Sequence, residues 1–200
     1  IFLIINGVLG PLLVGTAVGT FFTGAEFVID KAQLTEVSMP VISRWATPWH
    51  GLEAVTVVWN LCLGAAVFFL ARVLAVLYFV NNIEDDEVDK HCRKRLPIEV
   101  GGFLVFFLLF VGRLMTMEGY AVQPETEEIF MQPYKYLNNL LEMPVVLVLF
   151  LAGVVLVLYG IINTILSKYH VKGIWFAGAG TVLTVLALLL CAGWNHTAYY

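Results

Sequence analysis

Charge is what this 200-residue sequence has least of: 13% of its residues are Asp, Glu, Lys or Arg and 60% are hydrophobic. An ordinary soluble domain carries about a quarter charged residues. The scarcity is not uniform. Five apolar runs, 1–22, 55–80, 100–117, 144–166 and 174–194, contain only Arg72 and Arg113 among them. An excess of positive charge is also missing: 11 basic against 15 acidic residues give a net charge of -4, which leaves no basic stripe for nucleic acid. Three cysteines, Cys62, Cys92 and Cys191, form neither a disulfide framework nor a CxxC pair, and are read as packing residues. HExxH and His-x-x-x-His spacings are absent as well, so no metal site is expected. The sequence opens on Ile1, with no initiator Met and no basic segment ahead of the first apolar run. That run is therefore not a signal peptide, and the chain reads as an interior slice of a longer protein.

What is present is hydrophobic length. Each run is long enough, or nearly so, for a helix rising about 1.5 Å per residue to cross a hydrocarbon core of roughly 30 Å. The runs show no period-two alternation, which excludes a barrel, and low-complexity linkers are absent. The expected fold is all-α: a single polytopic transmembrane bundle over 1–200 with spans near 1–22, 48–80, 100–117, 144–166 and 174–194. Thr47 followed by Pro48 reads as an N-cap and first helical position, so the second helix is expected to start before its apolar run. Pro133 is expected to open a short interfacial helix with Tyr134, Leu137 and Leu141 on one face.

Orientation follows from Lys and Arg outside the spans. Segment 81–99 holds Lys90, Arg93, Lys94 and Arg95, and link 167–173 holds Lys168 and Lys172, so both are expected to be cytoplasmic. Segments 23–54 and 118–143 hold only Lys31, Arg44 and Lys135 and are expected to face outward. The acidic run Glu84, Asp85, Asp86 and Glu87 reads as a solvated loop, and Gly15, Gly19, Gly178 and Gly180 as points of close helix approach.

Candidate functional residues are few. An intramembrane haem needs imidazole ligands in the bundle core, but His50 and His196 fall at the outer surface and His91 and His170 in cytoplasmic links. Arg72 is the sharpest feature, set about 12 Å short of the cytoplasmic end of its span by helical rise. A charge at that depth faces a bundle interior, a cavity or a carboxylate. It serves either as a structural pair or in a substrate or proton path; no carboxylate in the five spans is an obvious partner, which directs the search to helices beyond them. Arg113 lies near the outer end of its span and reaches headgroups or Glu118. Glu53 and Glu142 stand at outer span ends, where a helix N-terminus stabilises a carboxylate or a proton path begins. No residue is assigned a catalytic role.

Four passages carry a resemblance: 10–24 (GPLLVGTAVGTFFTG); 51–54 (GLEA) with 60–79 (NLCLGAAVFFLARVLAVLYF); 133–144 (PYKYLNNLLEMP); and 171–184 (VKGIWFAGAGTVLT) running to 193–198 (GWNHTA). In order and over essentially the whole chain they resemble subunit II of cytochrome bd-type quinol oxidases, particularly the Bacteroides-like form. The resemblance implies a bacterial cytoplasmic-membrane complex that oxidises quinol and reduces dioxygen to water. It implies a non-haem subunit that is not catalytic alone, with haem b and haem d in the partner, subunit I. It also implies contact with lipid and a subunit that can hold a bound quinone. A secondary transporter of a small anionic solute, built around a buried arginine, is the alternative from another class.

Overall fold

The computed structural model describes residues 1–29, 43–167 and 172–198; Lys31, Lys168 and His170, used above in assigning orientation and ligands, lie outside them. The fold is the expected all-α polytopic bundle, with five helices among the described residues long and apolar enough to cross a membrane: α1 (Phe2–Thr23), α2 (Val58–Asn82), α3 (Asp86–Thr116), α5 (Pro144–Leu166) and α6 (Gly173–Gly193). A short helix α4 (Lys135–Glu142) and two antiparallel ribbons, β1 (Phe27–Ile29) with β2 (Ser43–Trp45) and β3 (Gly119–Val122) with β4 (Ile129–Gln132), fill connections at one end. That end, the hairpin side, also receives the chain after α6, because Thr197 bridges to Ala121. The opposite, basic side carries the α2–α3 connection and the end of α5.

Two helix beginnings differ from the sequence expectation. The second helix starts at Val58, not Pro48. Thr47 does accept a hydrogen bond from the Trp49 N–H (3.3 Å), but Gly51 then turns left-handed (φ 97°) and only a 3-10 helix, Leu52–Thr56, follows. The Thr-Pro pair therefore opens a turn. The third helix starts 14 residues before its apolar run, and segment 81–99 is largely helix instead of loop. Asp85, placed above in a solvated acidic loop, is its N-cap, its carboxylate accepting from the N–H groups of Glu87 and Val88 at 2.9 Å. Asp86, Glu87 and Asp89 in the first turn suit the positive end of the helix dipole. Cys92, in the same segment, is a buried helical residue. Pro97 sits inside α3 without ending it.

The helices pack chiefly as α1 on α2, α2 on α3 and α5 on α6, with a thinner contact between α2 and α6. Small residues set the closest approaches. A Cβ on Gly15 would lie 2.8 Å from the Gly64 Cα, and one on Gly153 would lie 2.8 Å from the Gly180 carbonyl oxygen. Gly178 is a correction: its Cβ position meets open space, so it faces away from the contact. Two apolar cores result. The hairpin-side core contains Phe22, Phe110, Leu114, Tyr136 and Cys191, with Phe22 edge-on to both Phe110 and Tyr136 at 5.6 Å. The basic-side core contains Val73, Leu77, Leu96, Phe103, Val157 and Ile161. Tyr134 and Leu141 of the expected interfacial face are exposed and Leu137 half-buried, while Tyr136, Asn139 and Leu140 face inward.

Candidate functional site

Arg72 has its counter-ion within the chain. Its Nη2 donates to Glu99 Oε1, and its guanidinium carbon lies 5.6 Å from the centre of the Phe68 ring. Glu99 is 6% exposed. This corrects the expectation that the partner lies on helices beyond the five spans. Glu99 precedes the apolar run of α3, so hydropathy alone assigns it to the cytoplasmic connection; with α3 beginning at Asp86, it stands well inside a continuous helix. The pair joins α2 to α3 beside the basic-side core.

Arg93, read from sequence only as one of several cytoplasmic charges, anchors α3 to α5. Its guanidinium takes the Asp89 carboxylate (2.8 Å) one turn back, and donates to the Thr164 carbonyl and to the Ser167 carbonyl (2.7 Å). These carbonyls belong to the last turn of α5 and the residue after it, where a cation offsets the negative end of the helix.

Glu53 and Glu142 are held by separate networks, and neither meets Arg72. Glu53 lies in the 3-10 helix, where one carboxylate oxygen accepts from the Gly51 N–H (2.7 Å) and the other is buried without a partner among the described residues. Next to that 3-10 helix, fully buried Asn60 donates to the Ala54 carbonyl (3.2 Å) and accepts from the Thr23 hydroxyl (2.8 Å), tying α1 to α2. Glu142 ends α4 and accepts from the Asn195 side chain. Asn139, also fully buried, is the hub there: its amide donates to the Cys191 carbonyl (2.9 Å) and the Thr197 hydroxyl (2.7 Å), and its oxygen accepts from Asn195 (3.3 Å). Lys135, 4% exposed, donates to the Asn195 carbonyl (2.8 Å). Burial lowers its pKa from the ordinary 10.5, with Glu142 acting in the opposite direction. Lys135, Glu142, Asn195 and His196 line a cavity of about 270 Å³ on the hairpin side. Arg113 lies over the Trp59 ring, 5.6 Å from its centre.

The described histidines lie outside the apolar spans: His50 is exposed against the Trp45 ring, His91 is exposed near the start of α3, and His196 follows α6. Among the described residues no histidine stands inside the bundle, where an intramembrane haem iron would take its usual imidazole ligands. Among the described residues no group of three or more His, Cys, Asp or Glu side chains is arranged around a metal position. An apolar cavity of about 320 Å³ opens between α2, α3, α5 and α6, with Leu63, Leu70, Phe107, Val157, Thr184 and Leu188 in its wall. The Thr184 hydroxyl donates to the Gly180 carbonyl of its own helix (2.9 Å) and offers no donor to the space. Such a wall offers apolar contact and no hydrogen-bond donor.

No curated protein matches the sequence. A family model described as cytochrome bd terminal oxidase subunit II matches residues 1–199. The five apolar helices and the span of this match place the chain in the bacterial inner membrane as a multi-pass component of a quinol oxidase complex. The chain belongs to the cytochrome bd terminal oxidase subunit II family.

Proposed function

We propose that this chain is the non-haem partner of the haem-bearing subunit I, supporting quinol oxidation and the reduction of dioxygen to water without being catalytic alone. The observation that carries the reading is the family match over residues 1–199. The exposed positions of the described histidines support assigning haem b and haem d, which supply the electron transfer and oxygen chemistry, to subunit I. This chain's own residues then build a scaffold. Arg72 and Glu99 fix α2 against α3, Arg93 fixes α3 against α5, and the Asn139 network fixes α4 against the end of α6. The apolar cavity between α2, α3, α5 and α6 holds the tail of a bound quinone by contact alone.

The test is affinity purification of the tagged full-length protein from its native membranes, followed by a reduced-minus-oxidised optical spectrum. A larger co-purifying subunit with haem b and haem d bands is expected. A colourless protein recovered alone from intact membranes would overturn the reading and make uptake of a small anionic solute the next assay.

A further inference from the structure

We propose that the basic end of α3 is a binding site for the phosphate headgroup of an anionic phospholipid, with an acyl chain lying along the apolar face of the same helix. His91, Lys94, Arg95 and Ile98 follow at i, i+3, i+4 and i+7 and so share one face of α3. With Glu99 they line a groove of about 330 Å³. All but Glu99 are exposed.

The charge in that groove is positive. Glu99 is engaged by Arg72, and the nearby acids Asp89 and Asp85 are engaged by Arg93 and by the backbone N–H groups of the first turn. Glu87 stands one turn above His91, on the side away from the membrane, and Lys90 stands one turn above Lys94. Lys94 and Arg95 make no hydrogen bond or ion pair among the described residues. Arg93, between them and Asp89 in sequence, is turned to the opposite task of capping α5.

Below the charges the same face turns apolar without interruption. Ile98 is 72% exposed, a Cβ on Gly101 would meet open space, and Val105 and Leu108 are exposed in turn. Gly101 thus leaves a shallow notch directly beneath the cationic groove. A free anion would need only the upper half of this surface, and an acidic protein segment would leave the stripe uncovered. An anionic phospholipid uses both halves, with its phosphate taking charge-assisted hydrogen bonds from Lys94 and Arg95 and its chain packing past Ile98 and Gly101. Basic residues at this level also lie on the side where anionic lipid and the positive-inside bias coincide. The site is independent of which reaction the complex performs.

The experiment uses the full-length protein in its native complex, reconstituted in nanodiscs of phosphatidylglycerol and phosphatidylcholine, with retained lipid counted by native mass spectrometry. Wild type is expected to retain phosphatidylglycerol selectively. Lys94→Gln with Arg95→Gln should weaken that retention about 30-fold, each basic residue being worth roughly a factor of five. The charge-preserving Lys94→Arg with Arg95→Lys, and Arg44→Gln on the opposite, hairpin side, should both keep it. Unchanged selectivity in the double Gln variant overturns the proposal. Displacement of the lipid by an equal concentration of inorganic phosphate would assign the groove to a free anion and overturn it. Loss of the partner subunit with lipid selectivity intact would assign the face to protein and overturn it as well.

Discussion

Arg72 is the only charged residue on α2, and Glu99 is the buried carboxylate that matches it. Removing one member of such a pair strands the other charge, at a cost of roughly 3–5 kcal/mol in buried cases; the Arg72 side chain is 41% exposed, which places this pair at the low end. Glu99→Leu should therefore lower the unfolding temperature of the purified protein markedly, and Arg72→Leu added to it should restore most of the loss. Equal damage from the single and double variants would show that the ion pair is not what matters there. Lys135 behaves differently because burial lowers its pKa below the ordinary 10.5. Between the folded and unfolded pKa values the unfolded chain binds more protons, so the group's contribution to stability rises with pH through that window; below the folded pKa its cost is constant. The wild type should accordingly gain stability relative to Lys135→Met as pH is raised from 7 toward 10. A difference between the two melting temperatures that stays flat across that range would refute this.

At the scale of the element, α3 holds the clearest lesson. Its 31 residues make a helix of about 46 Å at 1.5 Å per residue, against a hydrocarbon core of roughly 30 Å. Some 16 Å, about eleven residues, must stand outside, and that part is the charged stretch from Asp86 to about Leu96. Asp85→Ala removes the acceptor for two N–H groups and should cost about 1 kcal/mol. The loss should appear as faster amide hydrogen exchange confined to the first turn; unchanged exchange there would mean the cap does not hold it. The spans were legible in the sequence because hydropathy reports lipid exposure directly. The extension of α3 was not, since hydropathy is silent on whether a polar segment is helical, although Asp85 followed by acids and then bases carried the signal of a helix start. Glu99 is hidden with it. Long-range polar hubs such as Asn60 and Asn139 carry no local pattern at all, because their partners lie on other elements.

Taken whole, the molecule consists of α1, α2 and α3 packed in series and α5 packed on α6, with little direct contact between the groups. Arg93 and the basic-side core join them on one side, and the Asn139 network together with the hairpin-side core joins them on the other. Asn139→Leu leaves the Cys191 carbonyl, the Thr197 hydroxyl and the Asn195 amide short of a partner, each worth about 1–3 kcal/mol if it stays buried. The variant should melt earlier and release segment 195–198 to exchange or proteolysis, while the Arg93 end keeps its protection. Simultaneous loss at both ends would mean that the two fastenings act as one unit.

The fastening at Arg93 also carries a timetable. Arg93 precedes Thr164 by 71 positions, so a ribosome completes the start of α3 well before the end of α5 exists. When α5 is made, the guanidinium that donates to its final carbonyls already belongs to a finished stretch of chain, with Asp89 one turn away. The donor of this fastening is thus always the older partner and its acceptors the younger, so α3 is the member that can wait for α5.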